Sequence, residues 1–187
     1  RLTPSIGIAI FPQDGRDYDS LVKHADAAMY HAKDKGRNNY QFFTADLNVR
    51  MLEQLQLENA LRRALEHDEL MVHFQPQYNV HTGQIIGAEA LLRWRHNELG
   101  MISPARFIPI AEDSGLIFKI SDRVIKATCQ HISDWQTLGL SVPAIAINIS
   151  ANQFRQHDFA LRIVEILSAY GISPAQIELE LTESILM

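Results

Sequence analysis

Ala144-Ile145-Ala146-Ile147-Asn148-Ile149-Ser150 and Ile177-Glu178-Leu179-Glu180-Leu181-Thr182-Glu183 are the stretches whose reading decides the fold. Side chains alternate across a strand, so each stretch has two faces. In the first, Ile145, Ile147 and Ile149 make a face suited to packing on helices. Ala144, Ala146, Asn148 and Ser150 make the other, a small-then-polar face suited to the inside of a barrel. In the second, Ile177, Leu179 and Leu181 oppose Glu178, Glu180 and Thr182. Between the two, residues 153–170 have helical spacing, and Gly171 stops them. Strand, helix and strand in that order predict a parallel βα unit.

Working outward, the same alternation continues. Residues 69–77 and 84–94 read as strands joined at His81-Thr82-Gly83. Ser103 caps a helix with Pro104 in its first position. A further helix is predicted over residues 119–138, ending at Gly139. Upstream, Leu47, Met51, Leu55, Leu57, Leu61 and Leu65 recur at helical spacing without Gly or Pro, which predicts one helix over residues 45–67. Before it, residues 5–11 read as a strand, Ser20 as the cap of a helix ending at Gly36, and residues 40–43 as a short edge strand. That first piece is too small to bury a core unaided.

Bulk properties set limits. The 187 residues are 47 % hydrophobic and 21 % charged, an ordinary globular mix. The net charge of −5 gives no support to binding a DNA or RNA polymer. Cys129 is the only cysteine, so no internal disulfide forms, and its apolar helical setting marks a buried structural thiol. No apolar run reaches the ~18–20 residues of a membrane span. The expected location is cytoplasmic, with any membrane anchor of the parent lying in other segments. Arg1 opens directly on a strand-like run and Met187 follows an acidic strand; both ends are read as cuts within a longer protein.

Strand parity also collects polar groups. Glu89 and Arg93 share a face of one strand; His73, Gln75 and Gln77 share a face of another. With Asn148 and Glu180, four strands each place a polar side chain near a C-terminal end, where (β/α)8 barrels build active sites. The oxygens of Glu89, Asn148 and Glu180 suit Mg2+ or Mn2+ rather than zinc. Spacing alone leaves satisfied core polar groups as the other reading, and open sheets and closed barrels both fit. The eight histidines are scattered, with no ligand-like pair.

Several phrases, taken in order, resemble the EAL family of cyclic-di-GMP phosphodiesterases over residues 57–187. They are Phe74-Gln75-Pro76, Glu89-Ala90-Leu91-Leu92-Arg93-Trp94, the run from Ser103 to Glu112, Asn148-Ile149-Ser150 and Glu180-Leu181-Thr182-Glu183. The resemblance implies a (β/α)8 barrel of the TIM type that hydrolyses cyclic-di-GMP to linear pGpG with two divalent ions. It implies that Glu89, Asn148 and Glu180 are metal ligands, that Gln75 and Arg93 contact substrate, and that Glu183 anchors a loop at the metal and dimer contacts. The family's later Asp-Asp pair, Lys and further Glu would lie beyond Met187, so the fragment alone is expected to be inactive.

The first segment resembles the C-terminal end of a GGDEF domain, through Ser5-Ile6-Gly7-Ile8-Ala9, the run from Ala25 to Lys33, and Gly36-Arg37-Asn38. Lys33 and Arg37, at an i, i+4 spacing, resemble cations on GTP phosphates; cations favoured by a helix C-terminus are the equal alternative. The expected division is residues 1–43 for the GGDEF part, 44–67 for the linker helix and 68–187 for the first half of the EAL domain. The expected fold class is therefore α/β: a nucleotide-cyclase-like tail, a linker helix and an incomplete barrel. A homodimer through the EAL part is a further expectation. Three activities of the parent stay open: phosphodiesterase, cyclic-di-GMP receptor, and regulator of a cyclase domain.

Overall fold

The structure is a computed structural model that describes residues 3–181. It forms two units, Arg1–Leu57 and Glu58–Met187. In the first unit, strands β1 (Ile6–Ile8) and β2 (Tyr40–Phe42) pair in parallel around helix α1 (Tyr18–Asp34). The α1 cap is Asp17, not Ser20: the Asp17 carboxylate accepts from both the backbone N–H and the hydroxyl of Ser20. Those bonds hold the Asp17 carboxyl below its ordinary range. Asp outranks an internal Ser here because it lies one residue before the first turn, where the orphan N–H groups point.

The β1–α1 contact depends on a missing side chain. A Cβ on Gly7 would come within 2.9 Å of Met29 Cα, and closer still to Ala25 O and Met29 N. All three are backbone atoms that cannot step aside. Gly7→Ala is therefore expected to cost about 1–3 kcal/mol by overpacking. Amide exchange at Ile6, whose N–H bonds Asn39 O at 3.0 Å, should accelerate at least tenfold. Unchanged exchange would show that α1 can move away freely.

Helix α2 (Ala45–Ala64) is unbroken across the boundary at Leu57. It ends three residues before the expected His67. Asp68 takes a left-handed φ of 55°, and Arg123 donates to Leu65 O at 3.2 Å and to the Asp68 carboxylate. The chain is turned out of the helix there.

The second unit is built on a sheet in the order β3-β4-β6-β7, with β5 (Gly100–Ile102) beside β4. Strands β4 (Ile85–His96), β6 (Ala144–Ile149) and β7 (Ile177–Leu181) are mutually parallel. Strand β3 (Leu70–Tyr78) is antiparallel to β4, a hairpin set before the parallel βα units. The cause is the short connection. Asn79 N–H bonds Gln84 O at 2.9 Å, and the Asn79 side chain accepts from His81 and Thr82. A turn that tight can join only antiparallel strands.

Helices α3 (Pro104–Asp113) and α4 (Ile117–Thr137) cover one face of this sheet. The expected helix over residues 153–170 is two helices, α5 (Ala151–Phe154) and α6 (Phe159–Ala169). Buried Gln153 explains the break. Its side chain turns back to accept from Ser150 N–H at 3.0 Å, while Arg162 is held by Asp122 of α4, so the two pieces answer to different anchors.

The isoleucine face behaves as its parity predicts. Ile145, Ile147 and Ile149 are each 1 % exposed, against Ile120, Ile125 and Ile132 of α4 in the same core. Each fully buried side chain of this kind contributes about 1.5–3 kcal/mol. Cys129 is buried in that layer, and its burial pushes the thiol up to about 11. Trp94 and Phe107, both 0 % exposed, meet edge to face at 5.4 Å and lock α3 onto β4. The result is a partial barrel wall, with helices outside and a polar face inside.

Candidate metal and substrate site on the inner sheet face

Register fixes what shares the inner face. Gln75 pairs with Glu89, Glu89 with Ala146, and Asn148 with Glu180. Directly opposed residues point the same way. Gln75, Glu89, Ala146, Asn148, Glu178 and Glu180 therefore line one surface, with small Ala146 leaving space between the polar groups. Asn148 stands one residue pair further along β6 than Glu89 reaches, yet its Nδ2 donates to Glu89 Oε1 at 2.6 Å. Glu180 is its register partner on the next strand.

The structure thus brings Glu89, Asn148 and Glu180 onto adjacent strands and one face. Two carboxylates and one amide offer hard oxygens, a donor set that fits Mg2+ or Mn2+. Among the described residues, no group of three His, Cys, Asp or Glu side chains could hold an ion. Glu89 is half-buried; Asn148 and Glu180 are exposed.

Arg93 lies on the same side of β4 as Glu89, nearer the strand's end, and its Nη1 donates to Leu92 O at 2.9 Å. Gln75 reaches the site by a different route from the one expected. Because β3 is antiparallel, Gln75 is not at a barrel-type C-terminal strand end; it sits beside Glu89 through cross-strand pairing. Glu183 lies outside the described residues. Sequence reasoning passed over Glu112. It lines a cavity with Arg93 and Asn148. The signal was present in the spacing of Pro104, Ile108 and Glu112, which is i, i+4, i+8 on one helix.

In the first unit, Lys33 occupies the last turn of α1 and Arg37 lies beyond it. Gly36, Arg37 and Asn38 all have positive φ, at 93°, 59° and 51°. The two cations therefore do not share a helical face: the helix has ended, and the chain has reversed between them. Both are exposed. Asn39 holds the reversal by donating to Ala32 O and Arg37 O at 2.8 and 2.9 Å.

The pattern of the EAL domain family matches residues 58–187. The chain belongs to the EAL family. Residues 1–39 match the family described as diguanylate cyclase, GGDEF domain. The EAL chain is 43 % identical over 187 residues to the bifunctional diguanylate cyclase/cyclic di-GMP phosphodiesterase MucR of Pseudomonas aeruginosa, covering 100 % of this chain and 27 % of that protein. It is 38 % identical over 183 residues to the cyclic di-GMP phosphodiesterase PdeR of Escherichia coli, covering 98 % of this chain and 27 % of that protein. Among solved structures it is similar to the PaMucR phosphodiesterase in complex with c-di-GMP. That likeness has a TM-score of 0.66 at 38 % identity, over 68 % of this chain and 52 % of that one. The EAL chain spans about a quarter of the length of these curated relatives. No helix among the described residues is long and apolar enough to cross a membrane.

Proposed function

We propose that the whole protein hydrolyses one phosphodiester bond of cyclic-di-GMP, giving linear pGpG, and that this stretch supplies the first half of the site. The observation that carries the reading is the Asn148 bridge to Glu89, with Glu180 in register beside it. Glu89, Asn148 and Glu180 would hold a divalent ion, Mg2+ or Mn2+. Bound there, such ions supply Lewis-acid activation of water and neutralise charge at the phosphorus. Asn148 keeps the Glu89 carboxylate turned along the sheet toward Glu180. Arg93 and Gln75 flank this set and bind and orient the substrate, Arg93 as a cation for phosphate or base and Gln75 as a neutral hydrogen-bonding group.

Residues 1–43 belong, in this reading, to a GGDEF part in which Lys33 and Arg37 contact GTP phosphates. Residues 44–67 form the linker and residues 68–187 the EAL part. Glu183 anchors a loop at the metal and dimer contacts, and the protein works in the cytoplasm as a homodimer. The two relatives whose names state the same phosphodiesterase activity support the reading.

The test is pGpG formation with Mg2+ or Mn2+, followed by chromatography, for the whole protein and for residues 1–187 alone. The whole protein should turn over and the shorter chain should not, since the Asp-Asp and Lys groups implied by the family resemblance are supplied elsewhere. Tight binding without turnover by the whole protein would replace the enzyme with a receptor.

A further inference from the structure

The exposed face of α4 carries cations at helical spacing. Lys119, Arg123 and Lys126 stand at i, i+4 and i+7, which sets them along one side of the helix. They line an open groove of about 720 Å³. The end of α2 and the turn after it border the groove through Arg62, Leu65 and Glu66, and the end of α6 borders it through Tyr170. The volume falls within the ~300–1,000 Å³ of sites that take a small molecule.

The charges here are not equally available. Arg62 is paired with Glu58 at 2.7 Å. Arg123 is spent on the Asp68 carboxylate and on Leu65 O. Asp122, which also borders the groove, is held by Arg162. Lys119 and Lys126 differ: both are exposed, and among the described residues neither makes a hydrogen bond or ion pair. The groove sets four cations, Arg62, Lys119, Arg123 and Lys126, against two acids, Glu66 and Asp122, in a chain whose net charge is −5. A positive surplus in a concave wall draws anions.

The type of cation narrows the anion. A planar guanidinium forks onto carboxylates, and the arginines here already hold theirs. What remains is two ammonium groups, compact point charges with three donors each, which suit phosphate oxygens. Lys119 and Lys126 are seven residues apart, roughly 10 Å along the helix axis. Their flexible stems let both heads meet on one diphosphate. Beside them Leu65, Leu116 and Ala127 give an apolar wall, and Tyr170 adds an aromatic ring. Inorganic phosphate would leave that apolar surface wet. A nucleoside diphosphate would cover it with base and ribose while its phosphates reach the lysines.

We infer that this groove is a second nucleotide site, on the far side of α4 from the sheet face that carries Glu89, Asn148 and Glu180. It binds a nucleoside diphosphate through Lys119 and Lys126, with the base against Tyr170. Every base has a π-face, so a ring contact alone selects no particular base. The inference stands independently of the phosphodiesterase reading.

The experiment is calorimetric titration of the whole protein with ADP, inorganic pyrophosphate and adenosine. ADP avoids the guanine nucleotides proposed for the other sites. ADP should bind saturably, pyrophosphate more weakly and adenosine not measurably. Lys119→Gln combined with Lys126→Gln should weaken ADP by at least about tenfold, as expected for lost charge-assisted hydrogen bonds. The unfolding midpoint should stay unchanged, because both side chains are exposed. Tyr170→Leu should weaken ADP about fivefold or more and leave pyrophosphate unaffected. Absence of saturable ADP binding overturns the inference. So does ADP binding that the paired lysine variant leaves intact, which would place the nucleotide elsewhere on the protein. Binding of a poly-glutamate peptide in preference to ADP overturns it in favour of an acidic protein partner.

Discussion

If the whole protein is the phosphodiesterase proposed above, Glu89→Ala should abolish its cyclic-di-GMP hydrolysis, lowering kcat by at least about a hundredfold. Altering groups that only support a metal's ligands typically costs 10–100-fold, so loss of a charged ligand costs more. Glu89 is also the acceptor that orients Asn148. In the proposed ion site, removing it would take away one oxygen and free the amide that would supply another. Stability should change little, because Glu89 is only half-buried and water can satisfy the released Asn148 amide. Divalent-ion titration by calorimetry should therefore show weakened binding in a protein with an unchanged unfolding midpoint. Retention of more than a tenth of the activity would remove Glu89 from the site.

Trp94→Ala should have the largest effect on stability, about 3–5 kcal/mol. The indole is fully buried against Phe107, and its Nε1 donates to Glu69 Oε2 at 3.0 Å. Truncation leaves a cavity between β4 and α3 and leaves the Glu69 carboxylate without that donor. Domains are stable by only about 5–15 kcal/mol, so at least about a fifth of the total is at stake. Trp94→Phe refills most of the space and loses chiefly the hydrogen bond, about 1 kcal/mol. Urea unfolding midpoints of the two variants should separate these contributions. An alanine variant within 1 kcal/mol of the natural protein would mean that α3 is not held by this contact.

Much of the second unit was legible because its sequence carries a two-residue period. Ile145, Ile147 and Ile149 could be assigned a face without knowing any partner, and Asn148 and Glu180 followed onto the opposite one. The direction of β3 is carried by loop length rather than by alternation. Residues 78–83 are too few for a parallel crossover, so the strands over 69–77 and 84–94 must run antiparallel, and the bonds made by Asn79 close that turn. The break before Phe159 was hidden because no Gly or Pro marks it; it comes from the tertiary anchors of Gln153 and Arg162. Lys33 and Arg37 are four residues apart, but the helix ends between them at Gly36, where φ turns positive, as the glycine in the sequence marks. Glu112 was overlooked because its meaning lies in a cavity, which periodicity along one helix does not reveal.

The hairpin of β3 and β4 bears on how the sheet can assemble. Its strands are joined by a turn closed at Asn79 and Gln84, so their pairing brings together neighbours in the chain. The parallel pairing of β4 with β6 must first enclose residues 97–143, and β7 joins only after the next crossover. Loop-closure entropy grows with the length enclosed, and parallel crossovers meet that cost before any contact rewards them. Hairpins form in about 1–10 μs, well ahead of such long-range pairing. The reversed strand is thus a local template: it can present Gln75 beside Glu89 before Asn148 and Glu180 arrive to complete the constellation.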